Sequence, residues 1–278
     1  MTDSHEVSRR LELAKTIAIS AGQLTLQHFR SRSLEIIEKS DGSPVTIADQ
    51  QAETHLREII TEVFPEDSIV GEEFGRSEGE SGFCWVLDPI DGTKSFISGV
   101  PLYGTMVAVM DYRSNSAGDA IIGAVHMPGL DEGIYAASGQ GAWYYQGKAA
   151  PQPARVSTTS ELRQGVLLTS AVDGFALRED CPTGFLEKLS SEFRFCRTWG
   201  DVYGYLLVAT GRADVMIDPE LHLWDAAAVY PIITEAGGKF TAWNGQSSVS
   251  EGDGIGSNGL LHSLLLEKIL SHREPRPT

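Results

Sequence analysis

In the stretch FCWVLDPIDGTKSFISG, residues 83–99, an apolar run ends at Asp88, Pro89, Ile90 and Asp91, and Gly92 and Thr93 follow. Two acids around a proline-fixed turn aim both carboxylates at one point, with the Ile90 carbonyl turned toward it, and hard divalent cations take such all-oxygen sets. Gly92 and Thr93 add backbone N–H groups and a hydroxyl where a turn or helix begins, which suits a phosphate held beside the cations. By themselves the same residues also fit an Asx turn closing a strand. Two further acidic positions bear on the choice: Gly71-Glu72-Glu73 ends another apolar run, and Trp224-Asp225 opens DAAAVYPIITEAGG. Alone each is ordinary, Glu72 as a solvated strand end and Asp225 as a helix N-cap contributing about 1 kcal/mol. Together they supply enough oxygen groups for a two-metal site. Asp49, in SPVTIADQQAE, is the weakest member, because an acid on a helix face beside Gln50, Gln51 and Glu53 normally faces water.

The elements that must position these residues follow from periodicity. Val7, Leu11, Ala14, Ala18 and Ala21 recur at three- and four-residue spacing, predicting an amphipathic helix from Val7 to about Phe29 capped by Ser4. LEIIE (34–38) reads as a short strand, 40–44 as a turn, and 47–63 as a helix stopped before Pro65. DSIVGEE, FCWVLDPI, YGTMVAVMDYR and IIGAVHMP read as strands, and GIYAASGQGAWYYQG as a glycine-bounded meander. Beyond residue 150 the pattern alternates: strand GVLLTS, helix near 183–192, strand RFCRTW, helix 201–211, strand ADVMID, helix 224–236, strand GKFTAW and a final helix. This is α/β (α+β) composition, with a soft boundary near Pro151–Pro153 separating 1–150 from 151–278. Pro231 has no N–H for the Ala227 carbonyl, so a disturbance inside the 224–236 helix is expected.

Bulk composition narrows the partners. The chain has 278 residues, of which 41% are hydrophobic, enough to fill a core. A net charge of −16 argues against nucleic acid or an anionic membrane as partner, since those surfaces need Lys and Arg. Cys84, Cys181 and Cys196 form no CxxC pair, so neither a disulfide framework nor a zinc site is indicated and a reduced, cytoplasmic setting is expected. No apolar run approaches membrane-spanning length. Gly139-Gln140-Gly141 lacks the third glycine of a dinucleotide loop, and His126 and His222 lack paired ligand spacing.

The strings GEE (71–73), DPIDGTKSF (88–96) and WDAAAVYPIITEAGG (224–238), in this order with VTIAD upstream, resemble the inositol monophosphatase family of Mg²⁺-dependent, lithium-sensitive phosphomonoesterases over nearly the whole chain. The resemblance implies a layered αβαβα sandwich of the inositol monophosphatase/fructose bisphosphatase type, with the metals in a cleft between an N-terminal α+β part and a C-terminal α/β part. It makes Glu72, Asp88 and the Ile90 carbonyl ligands of one Mg²⁺, and Asp88, Asp91 and Asp225 ligands of a second. A third, weaker Mg²⁺ is implied near Glu72. Activation of the attacking water is assigned to Thr93 paired with Asp49, with Glu72 also at the chemistry, and the Gly92 and Thr93 amides hold the phosphate. The family default is a homodimer.

Within the family, RTWGDVYGYLLVATGRADVMIDPELHLWD (197–225), DGTKSF and Pro231 look most similar to the histidinol-phosphate phosphatase branch. Ser95 stands where many members have Asn, and Asp218 where inositol-specific members carry a Glu that binds substrate hydroxyls. Asp201 follows Gly200 in the segment lining the same pocket, and Arg197 is a further candidate for the phosphate or substrate. Acids here suit the ammonium and imidazole of histidinol. Other roles stay open on the residues alone: Asp201 as a helix cap, Asp218-Pro219 as a strand-ending turn, Arg197 as a surface ion-pair partner, and Trp199 and Trp224 as pocket wall or core filler. The expected activity is hydrolysis of histidinol phosphate in histidine synthesis. The alternatives are inositol-1-phosphate, with phosphoadenosine or fructose bisphosphate behind it, and a metal-dependent binding or regulatory protein with vestigial catalysis.

Overall fold

A computed structural model describes residues 4–31, 36–38 and 44–272. The first half opens with α1 (Ser4–Leu26), the antiparallel pair β1 (Ile36–Glu38) and β2 (Pro44–Thr46), and α2 (Ile47–Val63). β3 (Ser68–Gly71), β4 (Gly75–Ser77) and β5 (Phe83–Asp91) lead into the short helix α3 (Thr93–Ile97), followed by β6 (Gly104–Asp111), β7 (Asp119–Met127), β8 (Glu132–Ala137), β9 (Ala142–Gln146) and β10 (Gln152–Pro153). β3 to β10 form one sheet in the order β10-β9-β8-β7-β6-β5-β3-β4. The second half contributes β11 (Val166–Leu168), α4 (Gly174–Leu177), α5 (Phe185–Ser190), β12 (Phe195–Arg197), α6 (Val202–Ala209) and β13 (Val215–Asp218). It ends with α7 (Leu223–Ala227), α8 (Val229–Glu235), β14 (Lys239–Thr241), β15 (Gly254–Ser257) and α9 (His262–His272). Its sheet runs β12-β11-β13-β15-β14, parallel through β12, β11 and β13 and antiparallel at β15 and β14.

Side-chain alternation sorts these elements into layers. Along β5, Trp85 and Leu87 join α1 and α2 in one core, whereas Cys84 and Val86 face a second core shared with α6 to α8 and Phe240 of the other sheet. Along β13, Met216 faces that shared core, while Val215 and Ile217 pack with Phe175, Phe185 and Leu265 on the outer side. The result is the expected αβαβα sandwich, and β5, buried on both faces, is apolar from Phe83 to Leu87 for that reason. Asp88 has the parity of Val86 and Asp218 that of Met216, so strands of both sheets end with an acid in the same middle layer.

Three details bear on the sequence expectation: one meets it, one was not anticipated, and one falls partly outside the described residues. The 224–236 helix is two pieces separated at Ala228, where Pro231 withholds the N–H that Ala227 would accept. β15, Gly-Ile-Gly-Ser, has no two-residue apolar alternation and was not anticipated, so the alternating pattern ends in an antiparallel pair. The strand expected over 34–38 lies partly outside the described residues, as does most of the 40–44 turn.

Candidate metal and phosphate site

Asp88 and Asp91 sit where β5 leaves its regular register with β6, a shift between the two acids that accompanies Pro89. The Pro89 carbonyl accepts from Thr105 Oγ1 at 2.8 Å, fixing the turn. Gly92 then adopts φ +85°, which a glycine takes without strain, and starts α3; a β-carbon there would lie 2.7 Å from Asp201 Oδ2. Asp91 Oδ2 accepts from the Val202 N–H at 2.5 Å, so an acid of the first half caps α6 of the second. Asp225 is not the N-cap that its position alone would allow. It is the third residue of the α7 start, and its Oδ2 accepts from the His222 N–H at 2.7 Å. One carboxylate oxygen each of Asp88, Asp91 and Asp225 lies within 4.8 Å of the other two.

Asp49, expected near water if structural, is 1% exposed. Its Oδ2 accepts from the Thr46 N–H at 2.8 Å and the Thr46 hydroxyl at 2.6 Å in a capping box that starts α2. The Thr93 hydroxyl, expected to pair with Asp49 at the attacking water, donates to the Ile90 carbonyl at 3.1 Å. Asp49 Oδ1 and Asp88 Oδ1 are buried without a hydrogen-bond partner. Burial pushes Asp49 and Asp225 up to about 6 and Asp88 and Asp91 well above the carboxylate range, with like charges adding to it: Glu72, Asp91 and Asp225 around Asp88, and Asp201 and Asp225 around Asp91. Orphaned oxygens among converging, mutually repelling acids fit a divalent cation, which would reverse each of these penalties.

The cleft has a volume of about 250 Å³ and brings together Glu72, Asp91, Gly92, Thr93, Lys94, Asp201, Asp218 and Asp225. Asp201 heads α6 without a side-chain cap bond, and burial beside Asp218 and Asp225 raises it to about 7. Asp218 is 1% exposed and already engaged: Oδ1 accepts from the Ser170 N–H and hydroxyl at 2.9 and 2.6 Å, and Oδ2 from the Tyr205 hydroxyl at 2.8 Å. Gly200 packs on Leu102 and Tyr203 rather than lining the cleft. Arg197, a candidate for phosphate, is exposed on the edge strand β12, stacks over Phe195 and donates to the Cys196 carbonyl at 2.7 Å; it too stays out of the cleft. Trp199 is 40% exposed, whereas Trp224 packs on the shared core and stacks with His222.

Sequence reasoning missed Lys94, Ser170, Tyr205 and Glu220, all of which line the cleft. Lys94 was within reach, being the cation inside the DGTKSF string. Ser170 and Tyr205 carry no motif and enter only through the fold.

A family model described as the inositol monophosphatase family matches residues 6–276. The histidinol-phosphatase of Chlorobaculum parvum is 39% identical over 246 residues, covering 88% of this chain and 90% of that protein. The histidinol-phosphatase of Mycobacterium tuberculosis is 35% identical over 259 residues, covering 93% and 97%. Among solved structures, the Thermotoga maritima IMPase superposes with a TM-score of 0.83 at 27% identity, covering 95% of this chain and 97% of that one.

Proposed function

Because the chain belongs to the inositol monophosphatase family and is a phosphoric monoester hydrolase, we propose that it cleaves histidinol phosphate to histidinol and inorganic phosphate with Mg²⁺ in the acid cleft. The observation that carries this reading is the charge left over once the metal ligands are subtracted. Glu72, Asp91 and Asp225 of the lining are taken as ligands together with Asp88 and the Ile90 carbonyl, which leaves Asp201, Asp218 and Glu220 facing the same space. A leaving group with an ammonium and an imidazole matches that surplus, and a neutral polyol does not. The relatives named histidinol-phosphatase support the same choice.

Two Mg²⁺ ions, with a third held more weakly near Glu72, would supply a lowered pKa for bound water and charge neutralisation at the phosphate. The rest falls to the chain. The Gly92 and Thr93 N–H groups and the Lys94 ammonium hold the phosphate at the start of α3. Thr93 Oγ1 donates a hydrogen bond to the Ile90 carbonyl, so its lone pairs are left to accept from the attacking water and orient it. Glu72 takes that water's proton, and the unpartnered Asp49 Oδ1 completes the acceptor set beside it. Asp201, with Glu220 at the mouth, meets the cationic end of the substrate, while Asp218 fixes the wall through Ser170 and Tyr205.

In this reading residues 1–150 form a subdomain that supplies most metal ligands, and 151–278 complete the metal and substrate site. It extends to a cytoplasmic homodimer without a nucleic-acid partner, consistent with the net charge of −16 and three free cysteines; among the described residues no helix is long and apolar enough to cross a membrane. The test is kcat/KM for histidinol phosphate, inositol-1-phosphate and p-nitrophenyl phosphate in Mg²⁺. Histidinol phosphate is expected to lead by more than tenfold. Equal or better turnover of inositol-1-phosphate overturns the substrate.

A further inference from the structure

The hinge of this site is a residue that carries no motif. Glu53, one helical turn after Asp49 on α2, is 0% exposed. Its carboxylate reaches out of the helix into the turn joining β3 to β4, where Oε2 accepts from the Glu73 N–H at 2.8 Å and Oε1 from the Phe74 N–H at 3.2 Å. Arg57, four residues further along the same face, donates from Nε to Glu53 Oε1 at 2.7 Å and from Nη2 to the Gly75 carbonyl at 2.5 Å. Thus an acid and a base on one helix face satisfy the donors and an acceptor of one tight turn. Gly71, just before it, has no alternative residue: a β-carbon there would sit 2.1 Å from Glu53 Oε1, inside the carboxylate. Glu72 lies between Gly71, which approaches the Glu53 carboxylate closely, and the clamped Glu73 N–H, and it lines the cleft.

We propose that Glu53 is the positioning residue for Glu72, its carboxylate holding the 72–74 turn so that Glu72 is presented to a divalent cation. The inference rests on the reading of Glu72 as a Mg²⁺ ligand. A buried carboxylate making three charge-assisted hydrogen bonds has a direct reason to be there, since leaving it unpaired would be costly, and all three donors belong to the turn or to the residue that braces it. A glutamine cannot replace it, because its amide NH₂ would face an N–H donor or the Arg57 guanidinium.

The test is a Mg²⁺ titration of thermal stability, which reads cation binding without turnover. Glu53→Gln is expected to move the Mg²⁺ midpoint at least about tenfold higher, the loss typical when a group orienting a metal ligand is removed. Arg57→Gln, at the half-buried outer end of the clamp, is expected to shift it in the same direction by less and serves if Glu53→Gln fails to fold. On a Glu72→Gln background, Glu53→Gln is expected to add no further shift, an outcome that general destabilisation would not produce. Midpoints unchanged in Arg57→Gln and in folded Glu53→Gln overturn the inference, as does a shift that persists undiminished without Glu72. A wild type whose stability does not respond to Mg²⁺ overturns the underlying metal reading instead.

Discussion

Replacing Asp88 by Asn should destroy activity and, in the absence of metal, make the protein more stable. Asp88 is 2% exposed, and its carboxylate lies within 4.8 Å of oxygens of Asp91 and Asp225. Two unit charges at 4.8 Å in an effective dielectric of about 20 repel by about 3.5 kcal/mol, so at least one such repulsion disappears with the charge. Proton uptake limits the relief, because a carboxyl raised well above the carboxylate range takes up a proton rather than bear the full repulsion. A net gain of about 3 kcal/mol corresponds to a rise of about 5–10 °C in Tm for a chain of this size. The sign with pH is fixed as well. A carboxyl raised in the folded state contributes stability below about pH 4 that is lost as pH climbs through its folded value, so wild-type Tm in EDTA should fall from pH 5 to pH 8 while Asp88→Asn falls less. The assay is thermal unfolding in EDTA at pH 5, 6.5 and 8, with turnover measured separately in Mg²⁺. A lower Tm for Asp88→Asn in EDTA at pH 8 refutes the reasoning, because the carboxylate would then be a favourable structural contact rather than a charge held against repulsion.

Thr93→Ala should lower kcat by about 10²-fold with the Mg²⁺ midpoint unchanged, as read by steady-state kinetics beside a thermal-shift titration; an unchanged kcat removes Thr93 from the orientation of water. Asp201→Asn should cost histidinol phosphate about 10- to 150-fold in kcat/KM while p-nitrophenyl phosphate is largely spared, the loss of a hydrogen bond to a charged group, and equal losses on both esters sink that assignment. Asp218→Asn, whose oxygens serve Ser170 and Tyr205, should instead lower Tm and depress all esters together, and selective loss of histidinol phosphate would contradict it. Lithium should inhibit in competition with Mg²⁺, and activity indifferent to millimolar lithium removes that part of the metal reading. His262, buried between the Thr241 and Ser257 hydroxyls and pushed down to about 4 by burial, contributes stability present above pH 6.5 and lost as pH falls toward 4. The stability gap between wild type and His262→Asn in excess Mg²⁺ should therefore narrow over that range, and a constant gap shows that His262 does not titrate there.

The sequence was most readable where one residue does one local thing. Asp88-Pro89-Ile90-Asp91-Gly92 announces both its turn and its oxygen donors, and Pro231 breaks a helix wherever it stands inside one. What stayed hidden depends on contacts between distant segments. Asp49 is a helix-face acid among polar neighbours, and its near-complete burial comes from tertiary packing that no local pattern states. Asp218 looked free to take a substrate because Ser170, 48 residues away, and Tyr205 on α6 cannot be seen filling its lone pairs. Arg197 has the right charge, but the strand it ends is an edge strand, which no local pattern states.

The shared middle core has a consequence for how such an enzyme changes its diet. Asp49, Glu72, Asp88, Asp91 and Thr93 all precede β6, whereas Asp201, Asp218 and Glu220 come from the α6–α7 region beyond it. Apart from Asp225, a proposed metal ligand that lies beyond β6, the groups proposed for bond cleavage and those proposed for recognising the leaving group are thus inherited on separate stretches of chain, and drift in one need not touch the other. They are not free to be exchanged wholesale, because Met106, Val125, Tyr205, Met216 and Ile233 interlock across the seam. Transplanting residues 197–221 from a relative with another substrate should therefore carry its preference along only if the faces of α6 and β13 that meet the first sheet keep their present volumes.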